Sequence, residues 1–174
     1  MIFFFILLSL FSAKRYKDFT IIPVYGTKVS PYNNPFETHD FYSIPFCPYT
    51  GKETKTPRRL SDAFLGNNLQ RTSVSLKFKK NETNQQLCQI TLNQHTKEKF
   101  QNAIKRHFYY QLDIDKLPVW SLIGAKGNQE NSNQSLVFTK QHFTVYYNEN
   151  RIISVSLTPE NPVSLDSNTL NFTY

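Results

Sequence analysis

The chain has 174 residues, of which 20 are basic and 13 acidic, giving a formal net charge of +7. The basic residues are spread along the chain in short groups, so the charge indicates a solvated positive surface and argues against a nucleic-acid partner. Fifteen Phe and ten Tyr against only five Gly favour one packed, β-rich domain over a disordered tail.

The first thirteen residues are almost wholly apolar and end sharply at Lys14 and Arg15. A bilayer core needs about twenty apolar residues, so this run is too short to cross it. Residues 1–13 are therefore predicted to be a signal peptide, with Ser12 and Ala13 as the small residues before cleavage. The alternatives are an uncleaved anchor or a hydrophobic first strand. We expect entry into the secretory pathway.

Three Asn-x-Ser/Thr sequons agree with that expectation and are predicted to be glycosylated on exposed segments. They begin at Asn81, Asn133 and Asn171.

The front half alternates between extended and loop-like sequence. Residues 18–25 are predicted to form a first strand, with Pro23 indicating an edge position. Residues 26–40, rich in Pro, Asn and Thr, predict a surface loop. The aromatic residues 41–47 are expected to be extended and buried, and residues 60–65 to form one short helix.

The middle of the chain has clearer periodicity. Val74, Leu76 and Phe78 alternate with polar residues, which predicts a half-buried strand. The same alternation at residues 87–92 places Cys88 inward. One α-helix is predicted at about residues 96–107, with Thr96 as its N-cap.

The rear half returns to strands. Residues 108–115 alternate with period two, and further strands are predicted at 136–139, 143–147, 153–157 and 170–174. Residues 148–150 predict a hairpin turn, and residues 124–127 predict another turn. The pattern indicates a mainly β chain: an antiparallel β-sandwich with one helix, forming a single domain over residues 18–174.

Catalytic and metal-binding patterns are weak. His39, His95, His107 and His142 share no metal-ligand spacing with one another or with a cysteine. Asp113 and Asp115 are expected on one strand face, where a solvated surface is favoured over a Ca²⁺ pair. No catalytic site, metal, cofactor or small-molecule substrate is predicted, and the chain is not expected to be an enzyme.

Two cysteines are too few for a metal cluster and suit one disulfide, Cys47–Cys88, which requires an oxidising compartment. The alternative is a pair of free thiols with redox function, which needs an exposed, low-pKa thiolate. Trp120 is expected to anchor the core, the alternative being an aromatic residue that stacks on a ligand.

Several segments, taken in order, resemble the lumenal head of the nonaspanins (transmembrane nine superfamily), closest to the branch typified by member three. The segments that carry the resemblance are residues 29–32, 37–38, 41–47, 76–79, 88–90, 103–111, 114–120 and 150–155. In that family the head precedes nine transmembrane helices. Apart from residues 1–13, this sequence has no apolar run that approaches the length needed to span a membrane.

The resemblance implies a non-catalytic role on the lumenal side of Golgi and endosomal membranes, in sorting or surface delivery of membrane proteins. The implied partners are membrane-protein cargo or the family's own membrane domain. Two alternatives differ in class: a secreted β-sandwich that binds carbohydrate or lipid through exposed aromatics, and a hydrolase of the secretory pathway, which no residue pattern supports.

Overall fold

The computed structural model describes residues 14–51, 69–127 and 134–174. The predicted signal peptide at 1–13, the short helix predicted at 60–65 and the sequon at Asn133 lie outside the described residues. In chain order, the described elements are β1 (Ile21–Pro31), β2 (Gln70–Lys77), β3 (Gln86–Thr91), α1 (Gln94–Lys105), β4 (Phe108–Ile114), β5 (Leu117–Leu122), β6 (Gly124–Lys126), β7 (Ser135–Asn148), β8 (Arg151–Ser164) and β9 (Thr169–Thr173).

The strands form two sheets. The first has the order β2-β1-β4-β5, and the second has the order β3-β9-β7-β6 with β8 beside β7. Neighbouring strands are antiparallel except β7 and β9, which run parallel and pair at one position, Lys140 with Thr173. The chain passes from the first sheet to the second between β2 and β3, returns to the first before β4, and passes to the second again at Ile123, between β5 and β6. The prediction of a mainly β sandwich with one α-helix is confirmed.

One apolar core lies between the sheets and beneath the helix. Alternating residues of β4 are buried as predicted, including Leu112 and Ile114. The helix contributes Phe100, Ala103 and Ile104, each at most 2% exposed. Its spacing of apolar residues therefore directs one stripe to the sheets and leaves the opposite face to solvent.

The helix begins and ends two residues earlier than predicted. Asn93, and not Thr96, is the N-cap: the Asn93 side chain accepts a hydrogen bond from the backbone N–H of Thr96 at 2.9 Å. Thr96 is itself buried and donates its hydroxyl to the same Asn93 oxygen. At the other end, His107 has a φ of 52° and lies outside the helix.

The strand β1 is longer and more central than predicted. It continues to Pro31, where a loop was expected, because β4 pairs with it as far as Phe108. Long-range pairing thus overrides local turn propensity. The edge position inferred from Pro23 is wrong for the strand as a whole, since β2 and β4 flank it. At Pro23 itself, however, only the β2 side is paired, because the β4 register begins at Val24.

Other boundaries also differ. Residues 41–47 are buried at Phe41, Ile44 and Cys47 but begin with a 3₁₀ turn, Phe41–Ser43, in place of the expected extended chain. The strands predicted at 136–139 and 143–147 are one continuous strand, β7, joined to β8 by the predicted turn.

The turn predicted at 124–127 is wrong, because residues Gly124–Lys126 form β6. A Cβ atom at Gly124 would lie 2.1 Å from the carbonyl oxygen of Leu136, so glycine allows β6 to approach β7.

Candidate functional site

The predicted disulfide is present at one corner of the sandwich. Cys47 and Cys88 are bonded with an S–S distance of 2.02 Å and Cα atoms 5.7 Å apart. Cys47 follows the 3₁₀ turn, whose Phe41 ring packs against Phe46 (5.0 Å between centroids) and against Tyr110 of β4 (6.2 Å). The cysteines are therefore structural groups in an aromatic surrounding, and neither is a free thiol.

A small cavity of about 60 Å³ lies next to this corner, between the sheets. Its walls are mainly apolar, and burial raises the pKa of Tyr110, one of its lining residues. The Oε1 atom of Gln141, also in the lining, is buried without a hydrogen-bond partner in the structure. The volume suits a few water molecules but is too small for an organic ligand.

Two larger clefts open on the surface. The first, called here the lysine cleft, has a volume of about 460 Å³ and lies between the segment 76–83 and the second half of β7. Consecutive residues of β7, Gln141 to Val145, line it. Side chains alternate across a strand, so a wall made of consecutive residues is the edge of the strand and not one of its faces.

Charge in the lysine cleft is unevenly distributed. Lys77, Lys79 and Lys80 line it together with a single carboxylate, Glu82. One Glu82 oxygen accepts from Lys77 and Lys80, each at 2.9 Å. These two bonds hold the pKa of Glu82 below its ordinary value, and the bond from Lys77 has the larger effect. The same bond raises the pKa of Lys77.

Lys79 occupies the aromatic part of the same cleft. Its ammonium lies 5.5 Å from the ring centroids of both Phe78 and Tyr147 and 3.1 Å from the exposed carboxylate of Asp18. Stacking of a cation on two rings orients it toward the cleft.

The second surface cleft, called here the tryptophan cleft, has a volume of about 440 Å³ and lies between β5 and β8. Consecutive residues again form its walls, Pro118 to Leu122 on one side and Val155 to Leu157 with Pro159 on the other. Trp120 is 57% exposed in it and makes an edge contact with Tyr109 at 6.0 Å. The expectation that Trp120 anchors the core is wrong, because its neighbours Val119 and Ser121 face inward instead.

Two of the three sequons lie within the described residues. Asn81 is exposed at the rim of the lysine cleft, and Asn171 is exposed on β9, opposite Gln89. Both positions are accessible to a glycan, whose presence stays a prediction.

The acidic pair has a role in local structure. Asp113 lies on β4 and accepts a hydrogen bond from the backbone N–H of Lys116 at 2.9 Å. Asp115 lies beyond β4 in the turn, with a φ of 52°, and not on the same strand face as predicted. Its carboxylate pairs with Tyr16, whose pKa is raised by burial and by this contact.

The four histidines are not brought together. His39 bonds to Glu37 at 3.0 Å, His95 is exposed on α1, His107 is exposed after α1, and His142 is exposed in the lysine cleft. Within the described part of the chain, no group of three His, Cys, Asp or Glu residues is placed to hold a metal ion.

The sequence alone does not predict the lysine cleft. Its basic residues predict only a scattered positive surface, although the lysines within 77–80 are followed directly by the sequon at Asn81. What the sequence does not show is that β7 lies opposite these lysines, because that contact joins residues about 60 positions apart.

Comparison with known proteins identifies relatives over most of the chain. Residues 38–174 match the family model described as Endomembrane protein 70. Transmembrane 9 superfamily member 3 from Arabidopsis thaliana is 30% identical over 149 residues, covering 83% of this chain and 25% of the relative. Member 5 from the same plant is 28% identical over 173 residues, covering 94% and 29%. Member 1 from Rattus norvegicus is 28% identical over 157 residues, covering 87% and 26%.

The chain thus spans about a quarter of the length of these relatives. No solved structure matches it. Among residues 14–51, 69–127 and 134–174, no helix has the length and hydrophobicity needed to cross a membrane.

Proposed function

Because the chain belongs to the Endomembrane protein 70 family, within the transmembrane 9 superfamily, we propose that it is a non-catalytic lumenal domain that acts in sorting or surface localisation of membrane proteins. The family match over residues 38–174 is the observation that carries this proposal. The partners proposed are membrane-protein cargo and the membrane-embedded portion that the family name implies.

Features of the described residues, together with the sequence of residues 1–13, support the lumenal placement. The Cys47–Cys88 disulfide is of the kind that forms in oxidising compartments. Asn81 and Asn171 are exposed, as glycan acceptors must be. The apolar residues 1–13 provide the predicted route into the secretory pathway.

The placement is tested by protease protection. The chain, tagged at its C-terminus, is expressed in eukaryotic cells, and sealed microsomes are treated with protease with and without detergent. Protection that is lost with detergent, together with a glycosidase-sensitive mass shift that Asn81→Gln reduces, is expected. Digestion of the tagged chain in sealed microsomes would contradict the placement.

The sorting role is tested by surface biotinylation. Cells that lack the gene for this protein are compared with cells in which the gene is restored, and the surface abundance of membrane proteins is measured. Reduced surface abundance of a subset, restored by the wild-type gene, is expected. Unchanged surface abundance in cells that lack the gene would reject the role while leaving the lumenal placement intact.

A second function, a secreted domain that binds carbohydrate, is favoured by the tryptophan cleft. Trp120 is more than half exposed there beside Pro118 and Pro159, an arrangement suited to stacking on a sugar ring. Glycan-array binding by secreted protein that Trp120→Ala abolishes would support this alternative. Binding that survives Trp120→Ala would reject this cleft as the site.

A further inference from the structure

Four segments that are distant in sequence meet at one end of the sandwich, where the β7–β8 hairpin turns. The backbone N–H of Tyr16 donates to the carbonyl of Asn150 in this turn at 2.8 Å, and the Tyr16 ring stacks on Phe78 with 5.4 Å between centroids. Phe78 also contacts the ring of Tyr147 at 5.2 Å, and Tyr16 bonds to the carboxylate of Asp115. These contacts connect the segments into one surface, called here the hairpin-end surface, which consists of residues 14–21, 78–79, 115–116 and 146–153.

Large apolar side chains are concentrated on the hairpin-end surface. Of the eight that are exposed among the described residues, five belong to it: Phe19, Ile21, Tyr146, Tyr147 and Ile153. Phe19 is 64% exposed and Ile153 is 59% exposed. Apolar side chains scattered singly over a protein are ordinary, but a group of them in one place marks an interaction site.

Phe19 combines this exposure with backbone strain. Its φ of 63° lies in the left-handed region, which a residue with a bulky side chain rarely adopts. Two hydrogen bonds hold this conformation: the N–H of Phe19 donates to the carbonyl of Phe78 at 2.9 Å, and the N–H of Phe78 donates to that of Thr20 at 3.0 Å. A strained residue that also keeps an aromatic ring in water is unfavourable in the isolated chain, which indicates a role in binding.

The charge of the hairpin-end surface is positive. Six basic side chains lie on it against three carboxylates. Lys79 is paired with Asp18 at 3.1 Å. Within the described residues, the other five basic side chains have no carboxylate within salt-bridge distance, and all are exposed: Lys14, Arg15, Lys17, Lys116 and Arg151. Unpaired cations beside apolar side chains favour a partner with an anionic surface and an apolar interior.

The chain reaches this end of the sandwich from both directions. The apolar residues 1–13 join the described structure at Lys14, which is part of the hairpin-end surface. Strand β9 runs parallel to β7, pairs Thr173 with Lys140, and is therefore directed toward the end of β7 at Asn148. Chain that enters a membrane before Lys14 or beyond Tyr174 would therefore leave the sandwich toward this end. The position of the surface does not depend on where the chain stops.

We propose that the hairpin-end surface docks onto an anionic phospholipid bilayer. The exposed aromatic and aliphatic side chains enter the interfacial region of the bilayer, and the five unpaired cations contact the anionic headgroups. Binding therefore depends on apolar contact and on charge together. This lipid contact goes beyond the sorting role proposed above, and its test does not depend on that role.

Binding is measured by flotation of the full chain, produced in eukaryotic cells, with liposomes of phosphatidylcholine alone or mixed with phosphatidylserine. Mass spectrometry verifies that the N-terminus is the same in every variant. We expect binding to the anionic liposomes to be at least about tenfold stronger and to decline with added salt. No binding to the anionic liposomes would overturn the proposal, and so would equal binding to both kinds.

Apolar variants locate the contact. Phe19→Ser/Ile153→Ser is expected to weaken binding at least about tenfold, because two exposed apolar side chains no longer enter the bilayer. The control Tyr32→Ser/Phe36→Ser removes two exposed rings in the loop that follows the opposite end of β1, and it is expected to leave binding unchanged. Thermal unfolding confirms that each variant folds. An equal loss in both pairs would mean general hydrophobic adsorption and would reject this surface.

Charge variants form a second matched pair. Arg15→Glu/Arg151→Glu is expected to weaken binding to the anionic liposomes at least about tenfold. Lys99→Glu/Lys126→Glu makes the same change in net charge at two exposed lysines elsewhere, and it is expected to weaken binding less than about twofold. Equal weakening would show that net charge, and not the hairpin-end surface, governs binding.

Fluorescence shows whether this end enters the lipid. In a Trp120→Phe background, Phe19→Trp or Phe36→Trp supplies the single indole of the chain. With anionic liposomes, the indole of Phe19→Trp should emit at shorter wavelength and be quenched by lipids brominated on their acyl chains, whereas that of Phe36→Trp should show neither effect. Binding without these changes at residue 19 would overturn the proposal.

Two other occupants have distinct outcomes in the same assay. Polyglutamate that shifts the emission of Phe19→Trp and displaces the liposomes would assign the surface to an acidic protein. Sedimentation showing a dimer without lipid, with the same indole already shielded, would assign it to a second copy of the chain. Either result would overturn docking onto a bilayer.

Discussion

Cys47 and Cys88 are 41 residues apart in sequence and join the two sheets at one corner of the sandwich. Cys47 lies at the end of a segment whose Phe41 packs against Tyr110 of the first sheet, and Cys88 lies in β3, at the edge of the second. Since β3 pairs only with β9 among the described strands, the bond ties an otherwise peripheral strand to the segment that packs against the first sheet.

Replacing Cys47 with Ser is expected to lower the free energy of unfolding by about 4 kcal/mol, because the open chain regains the entropy of a loop of some 40 residues. Urea unfolding measures the loss. Cys88→Ser and the double variant should lose the same amount as Cys47→Ser, and reductant should destabilise the wild type alone. A double variant much less stable than either single one would contradict this account.

Gly26→Ala is expected to destabilise the fold by about 1–3 kcal/mol through overpacking. A Cβ atom at residue 26 would lie 2.3 Å from Cγ of Phe41, in a ring that is only 5% exposed and held by other aromatics. Unfolding measurements on Gly26→Ala, Phe41→Leu and the double variant form the test. The two effects should be less than additive, since the smaller Leu side chain relieves the clash. Strict additivity would show that the ring is not the obstacle.

Strands and the helix could be predicted from the sequence where the spacing of apolar residues within one segment determines the structure. The alternation of Val74 and Leu76, and that of residues 108–114, is reproduced as strands with one buried face. The helix was located because Phe100, Ala103 and Ile104 form one apolar stripe. In each case the burial pattern is a consequence of side-chain periodicity alone.

Features that depend on distant partners could not be predicted. Residues 26–31 have loop composition, yet they form strand because β4 supplies their hydrogen bonds. The sole Trp of the chain, in a motif shared with the resembling family, predicts a core anchor at Trp120, but the register of β5 against β4 turns Val119 inward instead. The lysine cleft depends on a β7 strand that continues past its partners β6 and β9, which periodicity does not reveal.

Arg106→Gln is expected to raise the pKa of Glu37 toward its ordinary value of 4.5. Arg106 donates to both Glu37 oxygens, at 2.7 and 2.6 Å, and is the largest cause of the lowered pKa, followed by His39. Because the pKa of Glu37 is lower in the folded state than in the unfolded state, ionisation of this carboxyl stabilises the fold at pH values above 4.5. This contribution is lost as the pH falls through the pKa of the folded state. NMR titration of the Glu37 carboxyl measures the shift directly.

The stability difference between wild type and Arg106→Gln should accordingly be present at neutral pH and vanish below the folded pKa of Glu37. Lys105→Gln, which removes a neighbouring exposed charge, should leave the Glu37 pKa nearly unchanged. An equal shift in both variants would mean that general charge, and not the Arg106 bond, lowers the pKa.

Trp120→Ala is expected to change the free energy of unfolding by less than about 1 kcal/mol, because 57% of the side chain is already exposed and little apolar area is lost. Phe100→Ala, the matched truncation of a fully buried ring, should cost about 3–5 kcal/mol. Since Trp120 is the sole tryptophan of the chain, its fluorescence also reports its surroundings: iodide should quench it efficiently in the folded protein. Weak quenching, or a loss of stability similar to that of Phe100→Ala, would place the indole in the core and remove the tryptophan cleft as a binding surface.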